Sequence, residues 1–295
     1  MTKVYGSDKM SFTAHVNFNQ CRYRLYLMNK DIADGKTLLF PPMVRGLVLH
    51  KVMEFIAKGW DTDPDRIIEA SLKPQRTDVD FGRRLIHIYP PYGDSAVLSY
   101  PDDADHPFFR WLKDEQRAFE PAIQRYLTVR RPKAMYPEKE WERRFHDWDI
   151  VGHVDLVMDI GRPYLFAIDL KTGDRPKSNE QFLLYSWLVN GFVGKQPFGV
   201  LLWDGYELRE EVLWFNIKPT NPTLMRLLWQ MVEEHNTIKL AEGAINRGVH
   251  PAKVLRPNTR QFTCSERRCS FWELCPYGRR NKQGVINDED DEPNT

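Results

Sequence analysis

Two short segments place charge where apolar residues dominate: Gly152-His153-Val154-Asp155 and Ile168-Asp169-Leu170-Lys171. An ionised group inside or at the end of an apolar strand needs a partner or a task. Side chains alternate along a strand, so Asp169 and Lys171 share one side while Leu170 enters the core, and Asp155 can join them from a neighbouring strand. Two carboxylates converging at a sheet edge make a hard oxygen site suited to magnesium or manganese. Such an ion can hold a phosphate and lower the pKa of a water. Lys171 would then orient that water or neutralise developing charge. A bare Asp-x-Lys is far more often an ion pair at a strand end, so its context has to decide.

That context begins with Gln181 and Tyr185, which are spaced to share one helix face directly after the Asp-x-Lys strand. Both side chains can reach a phosphate or a base. Singly, each has a blander use, Tyr185 as a half-buried ring with a wet hydroxyl and Gln181 as a surface residue. Upstream, Pro41-Pro42 starts a helix that runs to Lys58 before Gly59 ends it, with Val44, Leu47, Val48, Val52, Phe55 and Ile56 on an apolar stripe. His50 lies on that helix, and Glu54 follows it by one turn.

The remaining elements must carry these groups. The segment from Phe12 to Met28 enters a short helix around Cys21, and 61–105 is expected to be irregular, an insertion or cap. A helix is expected from Phe108 to Val129, then a meander of strands over 135–145, 149–159 and 164–170 with a turn at Gly161-Arg162-Pro163. A helix over 179–190, strands over 198–203 and 207–215, and a helix over 224–244 complete the pattern. There is no internal repeat. The motif order, a helical His, Gly-x-x-Asp, Asp-x-Lys and Gln-x-x-x-Tyr, resembles that of the RecB-like PD-(D/E)xK nucleases: His50 in GLVLH, Asp155 in GHVD, Asp169 and Lys171 in DLK, Gln181 and Tyr185 in QFLLY.

The resemblance covers nearly the whole chain. It implies an α/β fold with a restriction-endonuclease-like core, a mixed sheet flanked by helices, between a helical N-terminal region and an iron-sulfur C-terminal segment. His50, Asp155, Asp169 and the Leu170 carbonyl would ligate Mg2+ or Mn2+, Asp155, Asp169 and Lys171 would be catalytic, and Gln181 and Tyr185 would contact DNA. The corresponding division is a helical region with Cys21 and His50 over 1–130, a nuclease core over 131–220, a helix and cysteine segment over 221–284, and a disordered acidic tail over 285–295. The implied activity is metal-dependent exonucleolytic hydrolysis of DNA, on single strands or ends, in recombination, repair or end processing. A DNA-end-binding or scaffold subunit of a nuclease-helicase complex is the alternative. No Walker A pattern is present, so ATP-driven unwinding would need a helicase or recombination partner.

The cysteines are Cys21, Cys264, Cys269 and Cys275, the first lying 243 positions before the second. One early and three late thiols match neither zinc-finger pairs nor the common ferredoxin spacings. The layout, with NFNQCRYRLYL around Cys21, is similar to the iron-sulfur branch of these nucleases, the AddB-type and CRISPR-adaptation enzymes, where such a set holds a 4Fe-4S cluster. Those relatives usually separate the first two late cysteines by two residues, and here four intervene. A four-cysteine zinc site and buried free thiols stay open. Closing so long a loop costs an unfolded chain about 5 kcal/mol, so ligation there would couple folding to metal.

The composition is compatible with this reading. In 295 residues, 42% hydrophobic and 13% aromatic, there is enough apolar surface for a sizeable core. No apolar run approaches a membrane span, and the opening MTKVYGSDKM lacks a secretory pattern, which places the protein in a reducing cytoplasm without a membrane partner. The net charge is +1, and setting aside the acids at 288–292 leaves +6. Paired arginines at 83–84, 130–131, 143–144, 267–268 and 279–280 could follow a phosphate backbone or be ordinary solvated charges. Phe271 and Trp272, among the late cysteines, could stack on bases or cover the cluster.

Overall fold

The alternating pattern after residue 134 predicts a meander, and three consecutive antiparallel strands form there. In the computed structural model, residues 9–23, 25–27, 38–73, 85–161, 164–172, 179–204, 208–218, 220–255 and 275 are described. Their elements are β1 (Lys9–Ser11), α1 (Phe12–Gln20), β2 (Leu38–Leu39), α2 (Pro41–Lys58), α3 (Pro64–Leu72), β3 (Leu85–Ile88), β4 (Ala96–Ser99) and α4 (Pro107–Arg130). There follow β5 (Ala134–Phe145), β6 (Trp148–Asp159), β7 (Tyr164–Lys171), α5 (Glu180–Val193), β8 (Gln196–Asp204), β9 (Leu208–Leu213), α6 (Pro222–Asn246) and α7 (Pro251–Val254). The chain divides into two units, Asp8–Phe12 with Gly35–Met231, and Met1–Ser7 with Thr13–Asp34 and Val232–Thr295.

The larger unit is built on a mixed sheet in the order β1-β6-β7-β8-β9, with β5 on the other edge of β6. β5, β6 and β7 run antiparallel in sequence, while β7 and β8 are parallel and joined through α5, as a parallel pair requires a crossover. Expected strand and helix positions in this part agree with the observed ones to within a few residues. β1 pairs in parallel with β6, Met10 beside Ile150; three residues whose role is set by so distant a partner leave little local pattern.

The helix α2 forms as its sequence predicts. Pro41 and Pro42 occupy its first turn, and Gly59 takes the left-handed conformation, φ 67°, to cap its end. Its buried face, Val44, Val48, Leu49, Val52, Met53 and Phe55, packs with Phe108, Phe109, Leu112 and Ile123 of α4 and with Leu156, Ile168 and Leu170 of the sheet in one core. The expectation of irregular chain over 61–105 is corrected. Asp63 accepts the Arg66 amide at 3.0 Å and starts α3, and β3 pairs with β2 and β4 in a second small sheet. Each element there is short, and the β2–β3 pairing spans almost fifty residues, so periodicity alone carries little signal.

In the smaller unit, Tyr23, Leu27, Ala241, Leu255 and Cys275 pack together, with Cys21 against them. His15 and Asn19 both meet Glu234, at 2.8 and 2.7 Å, which ties α1 to the later half of α6. Cys264, Cys269, Phe271, Trp272, the arginines at 83–84, 267–268 and 279–280, and the acidic tail lie outside the described residues. No helix among the described residues is long and apolar enough to cross a membrane. Leu170 is fully buried in the larger core between two site residues. Leu170→Ala should therefore cost about 2–5 kcal/mol of stability, read from urea unfolding.

Candidate active site

The site forms where the sheet splits. β5 follows one edge of β6 along its length. On the other edge β1 pairs with residues 149–151 and β7 only with 156–159, the ladder ending at Leu156 and Ile168. Asp155 is the next residue beyond that last pair. Its carboxylate bridges the opening, Oδ2 accepting the Leu170 amide at 2.7 Å, so a side chain takes the place of a ladder bond.

The register brings a third carboxylate to this point. Phe145 pairs with Trp148 across a two-residue hairpin, and Lys139 with Val154, so one further step sets Glu138 opposite Asp155. Glu138 has φ 48°, a left-handed conformation within a strand that costs a non-glycine residue about 1–3 kcal/mol and tends to mark function. Packing also changes sides here. Gly152 abuts α5, whereas Leu156 and Met158, which would share its face in an unbroken strand, join the core built on α2 and α4.

His50 approaches from α2, its Nδ1 lying 3.3 Å from Asp155 Oδ1 and 4.0 Å from Glu138 Oε1. One potential ligand atom from each of His50, Glu138 and Asp155 lies within 4.8 Å of the others. α2 comes this close to the end of β7 because Gly46 leaves room: a Cβ there would stand 3.0 Å from Thr172 Oγ1. Glu54, one turn beyond His50, binds Lys51 and Lys58.

Asp169 is only 2% exposed, and its Oδ2 lies 2.6 Å from Lys171 Nζ. Gln181 organises the far side, donating through Nε2 to Asp169 Oδ1 at 3.1 Å and to the Tyr185 hydroxyl at 2.8 Å, while its Oε1 accepts Lys171 Nζ at 3.2 Å. The structure thus brings His50, Asp155, Asp169, Lys171, Gln181 and Tyr185 to one place, with Leu170 between Asp169 and Lys171. Sequence reasoning missed Glu138. The signal available was the tight turn at His146-Asp147, which sets the register that points from Asp155 to Glu138.

The electrostatics follow from crowding acids in a partly dry cleft. Burial, then the Asp155 charge, pushes Glu138 up to about 7. Burial and Asp155 likewise raise Asp169, against the opposing pull of Lys171. Burial lowers His50, but the Asp155 charge and contact outweigh it, with Glu138 and Asp169 adding to them, and push the imidazole up to about 9. Tyr185 is held neutral by burial and by the nearby Asp169 charge. An imidazole nitrogen and hard carboxylate oxygens this close are the donor set of a divalent cation, so the residues fit magnesium or manganese.

The model of the PD-(D/E)XK nuclease superfamily matches residues 9–276, and the chain belongs to that superfamily. Membership suggests a metal-dependent nuclease and implies DNA binding. No curated protein matches the sequence significantly. Among solved structures the chain is similar to one titled "Crystal structure of SSO0001", with 14% identity and a TM-score of 0.30 over 61% of this chain and 79% of that one.

Packing shows why the Gly-x-x-Asp segment needs its glycine: a Cβ on Gly152 would lie 2.8 Å from Leu188 Cδ1 and 3.1 Å from Tyr185 Cε1. Gly152→Val should push α5 from the sheet and cost about 1–3 kcal/mol. Thermal unfolding measures this, and nuclease activity should fall as Gln181 and Tyr185 shift.

Proposed function

We propose that the protein is a metal-dependent DNA exonuclease of the RecB-like branch, acting on single-stranded DNA or DNA ends in recombination, repair or end processing. The observation that carries this reading is the convergence of His50, Glu138 and Asp155 within 4.8 Å, beside the buried Asp169 and its ion pair with Lys171. In this reading His50, Asp155, Asp169 and the Leu170 carbonyl hold the metal, and Glu138 joins them. Magnesium or manganese would supply Lewis acidity toward the scissile phosphate and make water a stronger nucleophile.

The chain's own groups do the rest. Asp155, through the Leu170 amide, keeps the backbone of the Asp-x-Lys strand in place. Lys171, held by Asp169 and Gln181, presents an ammonium to the reacting phosphate, orienting the attacking water and countering charge that develops in the transition state. Gln181 and Tyr185, already bonded to each other, form the DNA-contacting pair on the α5 side. Asp169 keeps Gln181 fixed in that pair, so little ordering remains when a strand arrives.

A 4Fe-4S cluster on Cys21, Cys264, Cys269 and Cys275 belongs to the same proposal. It is supported by Cys275, buried in the small-unit core, and Cys21, packed against that core, which bring the first and last thiols of the set into one environment. Anaerobically purified protein should then be brown, with iron and sulfide in equal amounts, and Cys275→Ser should lose both. A colourless protein carrying zinc would replace the cluster with a zinc staple.

Degradation of end-labelled single-stranded and duplex DNA tests the activity. Magnesium or manganese should support progressive loss from an end, EDTA should stop it, and Asp169→Asn and Lys171→Ala should each lower turnover roughly 10²- to 10³-fold. Wild-type protein that binds ends yet cuts with neither metal would instead favour a scaffold subunit.

A further inference from the structure

Beyond the metal-binding groups, α2 carries a charged and aromatic ledge that the reaction itself does not require. His50, Glu54 and Lys58 follow one another at intervals of four, so they lie on one face of the helix. Glu54 is 6% exposed and is bound on one oxygen by Lys51 and on the other by Lys58, the latter at 2.5 Å. Two ammoniums on one buried carboxylate leave net positive charge, and both lysines remain partly open, with side chains 27% and 31% exposed. Lys51 directly follows His50 in the helix, so the ledge begins at the site.

At its outer end stands Trp60. The helix terminates with the Gly59 amide bonded to Ile56 O and the Trp60 amide to Phe55 O, at 3.0 and 2.9 Å, and this double bond pattern normally brings the residue after the glycine onto the preceding turn. Trp60 accordingly meets Phe55 edge-on at 5.2 Å. A capping contact does not need the whole indole, however. Trp60 is 53% exposed, and Lys58 Nζ sits 4.3 Å from its ring centre. The adjacent acid, Asp61, is taken up by Arg66 at 3.2 Å.

We propose that this ledge binds the flank of a single DNA strand, Lys51 and Lys58 meeting phosphates next to the scissile one and Trp60 stacking on a base. The inference rests on the nuclease reading of the His50 site and adds the path by which substrate leaves it. From His50 to Lys58 the helix rises about 12 Å, the axial length of roughly three to four stacked nucleotides. An open indole beside a cation accepts an unpaired base, because a base inside a duplex has both faces covered by its neighbours. The buried Glu54 supplies the fixed geometry, orienting two flexible side chains before the strand arrives.

The test is binding of a fluorescent single-stranded oligonucleotide by the full chain in calcium, followed by anisotropy across a salt series, alongside cleavage in manganese. Trp60→Ala should weaken binding about tenfold, and Trp60→Phe should restore most of it. Lys58→Gln should lower the salt slope by about one phosphate contact. Turnover of a small thymidine 5′-phosphodiester, too short to reach the ledge, should stay at the wild-type rate in Trp60→Ala. Melting temperatures of all three variants report whether they are folded. Unchanged affinity and salt slope in folded Trp60→Ala and Lys58→Gln would overturn the ledge while leaving the nuclease intact. If wild-type protein fails to cut in any metal but loses affinity with Trp60→Ala, the nuclease reading falls and the binding ledge stands.

Discussion

Acid groups gathered in a partly dry cleft need positive charge among them, and the larger unit is arranged around that requirement. Glu138, Asp155 and Asp169 come from three successive strands and repel one another where water is scarce. Lys171 answers the charge of Asp169, while the His50 imidazole, raised to about 9 by its neighbours, stands beside Asp155. That leaves Glu138 pushed toward its neutral form. A divalent cation resolves the conflict more fully than an imidazolium, since it can face several oxygens at once. On this account the site is unfavourable for stability without metal, and the surrounding core offsets the cost.

The fold places the charges by interrupting regular structure at one point. β6 pairs with β1 early and with β7 late along the same edge, and the change leaves an opening that the Asp155 carboxylate spans. The left-handed residue Glu138 belongs to the same interruption on the opposite edge. Rigid elements close around it: α2 approaches the end of β7 at Gly46, and α5 lies on β6 at Gly152. Both contacts are tight: an added Cβ would stand 3.0 Å from Thr172 Oγ1 at Gly46 and 2.8 Å from Leu188 Cδ1 at Gly152, so those side chains would have to shift.

Much of this was legible in the sequence, because it rested on local pattern. The Pro41-Pro42 start and Gly59 stop bounded α2, alternating residues marked the strands of the meander, and apolar Leu170 between Asp169 and Lys171 showed which side chains faced the core. What escaped notice depended on pairing. β1 is defined by a partner about 140 residues away, and the β2–β3–β4 sheet by short strands with no period of their own. Glu138 sits in an ordinary-looking Tyr136-Pro137-Glu138-Lys139 stretch and acquires meaning only when the register of the hairpin is counted. The ties of Gln181 to Asp169, Lys171 and Tyr185 were similarly hidden, since helical spacing shows which residues share a face but not what they grip.

The central claim is that these acids are held together for a cation they lack when metal-free. The most direct test is the melting temperature of wild type and Glu138→Gln, measured in EDTA and in manganese. Above pH 7, where Glu138 is ionised, removing its repelling charge should make the variant at least a degree or two more stable than wild type in EDTA. Manganese at a hundred times its dissociation constant should add about 2.7 kcal/mol to the wild type, several degrees for a chain of this size, and clearly less to the variant. A variant that melts below wild type in EDTA, or gains as much from manganese, would show that Glu138 serves packing or hydrogen bonding and contradict the account.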